Sequence, residues 1–452
     1  MRELEKRSNL IMAKILLISA NTYVYPYPVY PIGMAAISAA LKKNNHTVLQ
    51  YDCLFPNKSL RETIAEFNPN IVGISVRNID NEDYLAADNH WSCDVVKNLI
   101  REIKSVNNIP VFLGGAGFSV VAEKFLDYAN ADFGIVGAGE KSVQVLVSNI
   151  LSGENIKENI FSSQGFDSAL EPDIDKNLLQ KYMRSGGLLG VLTKRGCAYK
   201  CGYCSYPSID GRKFAAFEVK TIVGYIKKLQ QEMGVNEIFF TDSVFNDSCG
   251  YACDLCREII SQNVKIKFAA YFNPANVSFE DLKLFKEAGL FAVELGTDAA
   301  CDTTLNALKK TFKFDDVLKF QSMCDDLRLP CSHFIIFGGP DETYGTIQES
   351  LDNIKKINNG VVMVFSGVRV HYNTEIYNRA LKEGKLTKDT NLLKPYYYFS
   401  DKINISKMND MILQSFKGNR KRIFPPEKGE EMMRTLRGFG YKGLLWDTLI
   451  KF

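Results

Sequence analysis

No apolar run in the sequence comes near the roughly 20 residues of a membrane-spanning helix. Strong charge imbalance is also missing. The formal net charge is only +3, without the basic excess that marks most duplex-binding proteins, so no nucleic-acid partner is expected. The opening MRELEKRSNLIMAKILLI lacks the shape of a signal peptide, and a cytoplasmic location is expected. The eleven cysteines are odd in number and irregularly spaced, which speaks against a secreted disulfide framework. No repeat or low-complexity tract occurs. What is present is an ordinary globular composition, 46% hydrophobic and 24% charged, over 452 residues. That length calls for two or three domains rather than one core.

The first periodic stretch alternates short apolar runs with amphipathic segments. Strands are expected at KILLIS (14–19), TVLQYD, NIVGISVRN (70–78), PVFLGGAG (110–117) and DFGIVGAGE (132–140), with a helix over IGMAAISAALKKNNH. Strands alternating with helices indicate a parallel sheet covered on both faces. Glycines stand at several strand carboxyl ends, where open α/β sheets bind ligands. A five-stranded Rossmann-like domain is therefore expected over 12–152, and a linker over 153–185. A second α/β series follows at 187–194, 237–242, 265–272, 291–298, 331–339 and 361–370. Six units are fewer than the eight of a closed barrel, so a partial (β/α)6 barrel is expected over 186–375. Residues 376–452, with KPYYYF, KGNRKRIFPP and GLLWDTLIKF, form a small mixed region.

The segment RGCAYKCGYCS places Cys197, Cys201 and Cys204 in a C-x3-C-x2-C array directly after the first strand of the second series. Three soft thiolates suit an iron–sulfur cluster. Three ligands on four irons leave one iron open to a small molecule, whereas a purely structural site normally takes four. A second C-x3-C-x2-C, at Cys249, Cys253 and Cys256, lies in a helical pattern. On a helix its outer members are separated by about 10 Å of rise, so this copy reads as core packing.

The loop 197–204, with Tyr203 before the last cysteine, resembles the signature of the radical S-adenosylmethionine (SAM) superfamily. TDSVFN (241–246), ELGTDAACDTTLNALKK (294–310), FIIFGGPDET (334–343) and VRVHYNT (368–374) resemble further motifs of that superfamily, in the same order. The resemblance implies SAM-binding roles for Tyr203, Thr241, Asp242, Asp298, Gly338 and Glu342. Asp298 stands where the family pattern usually has Glu. VGISV (72–76), LGGAG (113–117) and GAGE (137–140) resemble the cobalamin-binding domain that precedes the radical domain in one branch. Gly73, Ser75, Gly114, Gly115, Gly137 and Glu140 would then meet the cofactor. The D-x-H-x-x-G motif that supplies a cobalt-ligating His is absent, and NTYVYPYPVYPIG takes its place. Its tyrosines, Tyr23, Tyr25, Tyr27 and Tyr30, are candidates to cover the cobalt face.

The resemblance thus implies a 4Fe–4S cluster, SAM and cobalamin as cofactors. The expected activity is reductive cleavage of SAM to a 5′-deoxyadenosyl radical, with methylation of an unactivated carbon. The partners would be a small substrate and a reductant such as flavodoxin or ferredoxin. RNIDNEDY (77–84) and GFGYKGLLWDTL (438–449) resemble members of lipid or other hydrophobic-metabolite biosynthesis, which points to an apolar substrate. Ring or carbon–carbon bond formation without methyl transfer, and a corrinoid carrier or sensor, are the alternatives. A tRNA methylthiotransferase would bring a basic RNA-binding tail that is missing here. His333, Arg369 and His371 lie on strands where substrate or SAM contacts are expected.

Overall fold

The computed structural model describes residues 12–86, 91–247 and 250–450. Strand β1 (Lys14–Ser19) is buried at every position after Lys14, as expected for a strand covered on both faces. It pairs in parallel with β2 (Thr47–Asp52) on one side and β3 (Ile71–Ser75) on the other. The sheet continues through β4 (Val111–Gly114), β5 (Phe133–Val136) and β6 (Ile160–Ser162) in the order β2-β1-β3-β4-β5-β6. Strand order reverses between β1 and β3, which opens a crevice at their carboxyl ends. Helix α1 (Ile32–Lys43) follows β1 at this point and ends on Lys42 and Lys43, which suit its negative pole.

One expectation changes here. The stretch 153–185 contributes a sixth strand, β6, and a helix, Lys176–Arg184, whose Leu178, Leu179 and Tyr182 are buried. Tyr182 donates to Asp52 Oδ2 at 2.9 Å, and Asp175 N donates to the Tyr30 hydroxyl at 3.0 Å. The segment is packed structure rather than a free connector. Its strand is only three residues long, too short to show periodicity.

The second sheet starts at β7 (Leu189–Val191). A small hairpin, β8 (Lys194–Arg195) with β9 (Ala215–Ala216), brackets the cysteine loop. Then come β10 (Glu237–Phe240), β11 (Lys267–Phe272), β12 (Leu290–Asp298), β13 (Cys331–Phe337) and β14 (Val361–Ser366). Short β15 (Val368–Arg369) and β16 (Tyr397–Tyr398) pair with each other. Strand β17 (Arg422–Ile423) adds to β14, giving an open seven-stranded sheet, β17-β14-β13-β12-β11-β10-β7. The seventh strand comes from the basic run at 417–422. Arg422 is buried there because its guanidinium donates to the carbonyls of Gly360, Ile354 and Ile357.

Outward residues of this sheet join one large core, and inward residues enclose a lumen. The bottom of the lumen is closed by Leu444, Leu445 and Trp446, packed with Phe239, Ala269, Ala292 and Val361. The open side is covered by the first domain, where Val29 bridges to Leu188 beside α1. No described helix is long and apolar enough to cross a membrane.

Candidate active site

The cysteine loop hangs from a buried charge network. Asp242 accepts from the backbone N–H of Thr193 (2.7 Å) and Lys194 (3.1 Å) and from the Thr193 hydroxyl (2.5 Å). The Lys194 ammonium lies 3.2 Å from Asp242 and 3.1 Å from Asp247 and donates to Phe245 O. Lys194 and both carboxylates are buried, so the network pins the base of the loop in one geometry. Gly196 has φ +83°, and a Cβ there would lie 2.1 Å from Lys213 O, so only glycine fits. Downstream, Gly202 N donates to Leu308 O, and Ile376 N donates to Gly202 O.

Cys197, Cys201 and Cys204 line one cavity of about 500 Å³ at the mouth of the lumen, together with Tyr203, Asp298 and Lys310. Burial pushes the Cys204 thiol up to about 12. Burial also raises Cys201, against the nearby Lys310 charge. Such thiols ionise only when a strong positive charge is placed among them, as a metal centre does. Among the described residues no three Cys, His, Asp or Glu side chains close on a single ion. The donor set fits a larger centre, with three thiols of one loop facing shared space. Cys249 lies outside the described residues. Cys253 and Cys256 sit on the helix Tyr251–Ser261, where Cys256 is fully buried against the core.

Lys310 was not identifiable as a site residue from the sequence. Its ammonium lies 3.5 Å from Cys201 Sγ and forms an ion pair with Asp298, and both side chains are under 10% exposed. Asp298 adopts φ +60°, unusual for a non-glycine residue, and this turn aims its carboxylate at Lys310. A pair of lysines at the end of ALKK was the only local signal.

Several other predicted residues do not face this cavity. The Asp242 carboxylate is used up by Thr193 and Lys194. Thr241 points instead into the crevice of the first domain. Glu342 is buried and accepts from Gly338 N at 2.5 Å, while a Cβ on Gly338 would meet the Phe399 ring at 2.6 Å. Both shape a turn away from the thiols. His333 faces outward. Its ring bonds Thr297 (2.9 Å) and Gln321 (2.7 Å), and burial lowers its pKa to about 3, so it is neutral and structural. Arg369 does border the cavity, but its guanidinium is engaged by Asp80 (2.9 Å), Val370 O and Leu392 O. His371 Nε2 lies 3.3 Å from Glu82 Oε1. Arg369 and His371 therefore tie the barrel to the 80–82 loop of the first domain.

A second cavity, of about 250 Å³, occupies the β1/β3 crevice and is bordered by Gly33, Ser75, Gly114, Gly137 and Glu140. A Cβ on Gly33 would meet nothing within 4 Å, and one on Gly114 only Ile135 O at 3.8 Å. These two leave a groove that side chains would fill, as a bulky nucleotide-tailed cofactor requires. The other glycines have different reasons. Gly73 makes room for the Phe112 ring, and Gly115 (φ +99°) lies against Val76 O. Gly137 (φ +77°) allows close approach to Ile209 O of the barrel domain. Glu140 takes Arg195 at 2.5 Å, and its other oxygen is buried without a hydrogen-bond partner among the described residues. The loop tyrosines sit elsewhere. Tyr23 and Tyr25 bond Glu430 and Arg434 of the helix Pro426–Gly438, and Tyr27 is buried in the lumen floor. None of them borders the crevice.

A glycine-lined crevice in one α/β domain and a three-thiol loop in a partial barrel define a class of two-cofactor enzyme fold. Residues 18–147 match the B12 binding domain family, and residues 191–354 match the Radical SAM superfamily. The chain therefore carries a B12 binding domain followed by a Radical SAM domain. It is 23% identical to a tryptophan 2-C-methyltransferase of Streptomyces laurentii, spanning 79% of this chain and 72% of that one. A hopanoid C-3 methylase of Methylococcus capsulatus is 23% identical over 62% of this chain and 55% of its own length. The fold is that of the radical SAM methyltransferase TsrM from Kitasatospora setae, solved with cobalamin and a [4Fe-4S] cluster (TM-score 0.84, 22% identity, 97% of each chain).

Proposed function

We propose that this protein is a cobalamin-dependent radical SAM methyltransferase acting on a carbon of a small, largely apolar molecule. The observation that carries the reading is the adjacency of the two cavities. Tyr206, two residues after Cys204, borders both the three-thiol cavity and the glycine-lined crevice. A substrate at the lumen mouth is then within reach of both cofactor sites. When bound, the cluster with SAM supplies a one-electron route to activating a carbon, and cobalamin supplies a transferable methyl group.

The chain's own residues do the rest. Cys197, Cys201 and Cys204 hold the cluster, and Lys310 places a positive charge on the Cys201 sulfur. Tyr203 and Asp298 border the space for SAM, while Phe334, Ile336 and Phe365 give it apolar walls that exclude water. Ser75, Gly114 and Glu140 frame the cobalamin tail. An acceptable reductant is a small electron-transfer protein. Five of the similar curated proteins are named as methyltransferases or methylases, which supports methyl transfer, and two are named as cyclases, which keeps ring formation as the alternative to test. The test is anaerobic turnover with methyl-labelled SAM and candidate small molecules, counting 5′-deoxyadenosine and S-adenosylhomocysteine together. Labelled product with both by-products is expected. Product without S-adenosylhomocysteine would point to bond formation without methylation.

A further inference from the structure

The lumen of the barrel contains a polar layer that the proposed chemistry does not use. Glu294 and Ser332 are register partners on β12 and β13, and Tyr271 is the partner of Glu294 on β11. Their neighbours two residues on, Gly296 and Phe334, border the three-thiol cavity, as does Tyr271 itself. Strand alternation therefore points Glu294 and Ser332 into the same lumen, about 7 Å below the cavity wall. Ser332 is fully buried, and its hydroxyl has no hydrogen-bond partner among the described residues. Glu294 is 4% exposed, and among the described residues Trp446, 3.2 Å away, is the only hydrogen-bond partner of its carboxyl. Burial raises that carboxyl to about 7, opposed by the Trp446 bond.

A buried hydroxyl without a partner is costly to keep beside Ala269, Ala292, Val361 and Trp446, and the Glu294 carboxyl next to it has one bond, to Trp446. The strand also leaves a way in. A Cβ on Gly296 would meet only Asp298 Oδ2, at 3.9 Å, so the space above Glu294 is open toward the cavity.

We propose that Glu294 and Ser332 are the recognition floor of the substrate site and receive an N–H or O–H group at the deep end of an otherwise apolar substrate. This rests on reading the lumen as the substrate site and names the class of molecule it selects. A ring N–H donates to the free oxygen of Glu294. A hydroxyl donates to Glu294 and accepts from Ser332. Trp446 holds the carboxyl in position from below and is a positioning residue. A substrate ending in a carboxylate is refused, because it would face Glu294 without a cation.

The test is equilibrium binding of two probe pairs to the full-length protein by calorimetry: indole against 1-methylindole, and phenol against anisole. Each methylated probe lacks only the donor hydrogen. We expect about ten-fold or greater preference for indole and for phenol. Ser332→Ala, which removes a hydroxyl with no partner among the described residues, should keep the melting temperature and reduce the phenol preference. Glu294→Leu should remove both preferences, and Gly296→Val should block all four probes. Equal affinity within the pairs in the native protein, no binding of any probe, or a preference that survives Glu294→Leu would each overturn the assignment. Iron and corrinoid content, measured on the same preparation, reports separately on the cofactor reading. Absent cofactors with intact probe preference would sink that reading alone.

Discussion

At the scale of single residues, the three thiols differ sharply from the rest. Replacing Cys197, Cys201 and Cys204 by Ala should abolish iron–sulfur absorption and SAM cleavage. The same change at Cys253 and Cys256 should leave about four irons per chain, because those sulfurs face a helix and its packing. Iron and sulfide analysis after anaerobic reconstitution decides between the two sets. The crevice glycines also separate. Gly114→Leu puts a side chain into open groove and should weaken cobalamin binding by about ten-fold or more with the fold intact. Gly115→Leu is a poor probe of the same idea, since its backbone lies against Val76 and the change would damage the domain first. Cobalamin titration of the Gly114 variant, beside its melting curve, measures the effect. Unchanged affinity in the folded variant would place the cofactor tail elsewhere.

At the scale of elements, the loop geometry depends on the Lys194, Asp242 and Asp247 network at its base. Lys194→Met leaves two buried carboxylates without their cation. We expect a loss of about 3–5 kcal/mol in urea unfolding, with lower cluster occupancy at equal protein concentration. Asp242→Asn keeps the shape but not the charge, and should fall between Lys194→Met and the native chain. Full cluster occupancy in both variants would show that the loop does not need this anchor. The element scale also explains the sixth strand of the first sheet and the seventh of the second. Both are two or three residues long. Each is held by its neighbour's edge rather than by its own pattern, so periodicity alone could not announce it.

At the scale of the whole molecule, the two domains are joined through buried charge. Asp80 of the first meets Arg369 of the second, with side chains 0% and 4% exposed. Tyr84 packs its ring on Tyr397 and Phe399, and Trp91 donates to Leu393 O. Cutting the ion pair from one side leaves an unpaired buried charge. Asp80→Asn and Arg369→Met should each cost about 3 kcal/mol, and the double variant clearly less than their sum. Purely additive losses in a double-mutant cycle would mean that the pair is not coupled. The same clamp places Asn81 and Glu82 of the first domain on the wall of the three-thiol cavity. Loosening it should therefore slow methyl transfer more than SAM cleavage, because the three thiols, Tyr203, Asp298 and Lys310 all belong to the barrel domain.

The sequence by itself determined the cysteine loop and the parallel α/β order of both domains, and it pointed to two candidate cofactor sites. Those features are local. A contiguous C-x3-C-x2-C, apolar runs of strand length and glycines at strand ends each sit within a dozen residues, where spacing and backbone geometry can be read directly. The tertiary structure alone decided which side chains face which space. It brought Lys310 to Cys201 across 109 positions, Arg369 to Asp80 across 289 and Trp446 to Glu294 across 152. It also turned Asp242, Glu342 and His333 away from the cavity that their motifs suggested. For Asp242, Glu342, Lys310 and Trp446 the physical reason is packing between distant segments outside the strands, and for His333 it is strand register. In a parallel barrel a side chain's face is set by pairing between distant strands, and a shift of one residue exchanges lumen for core.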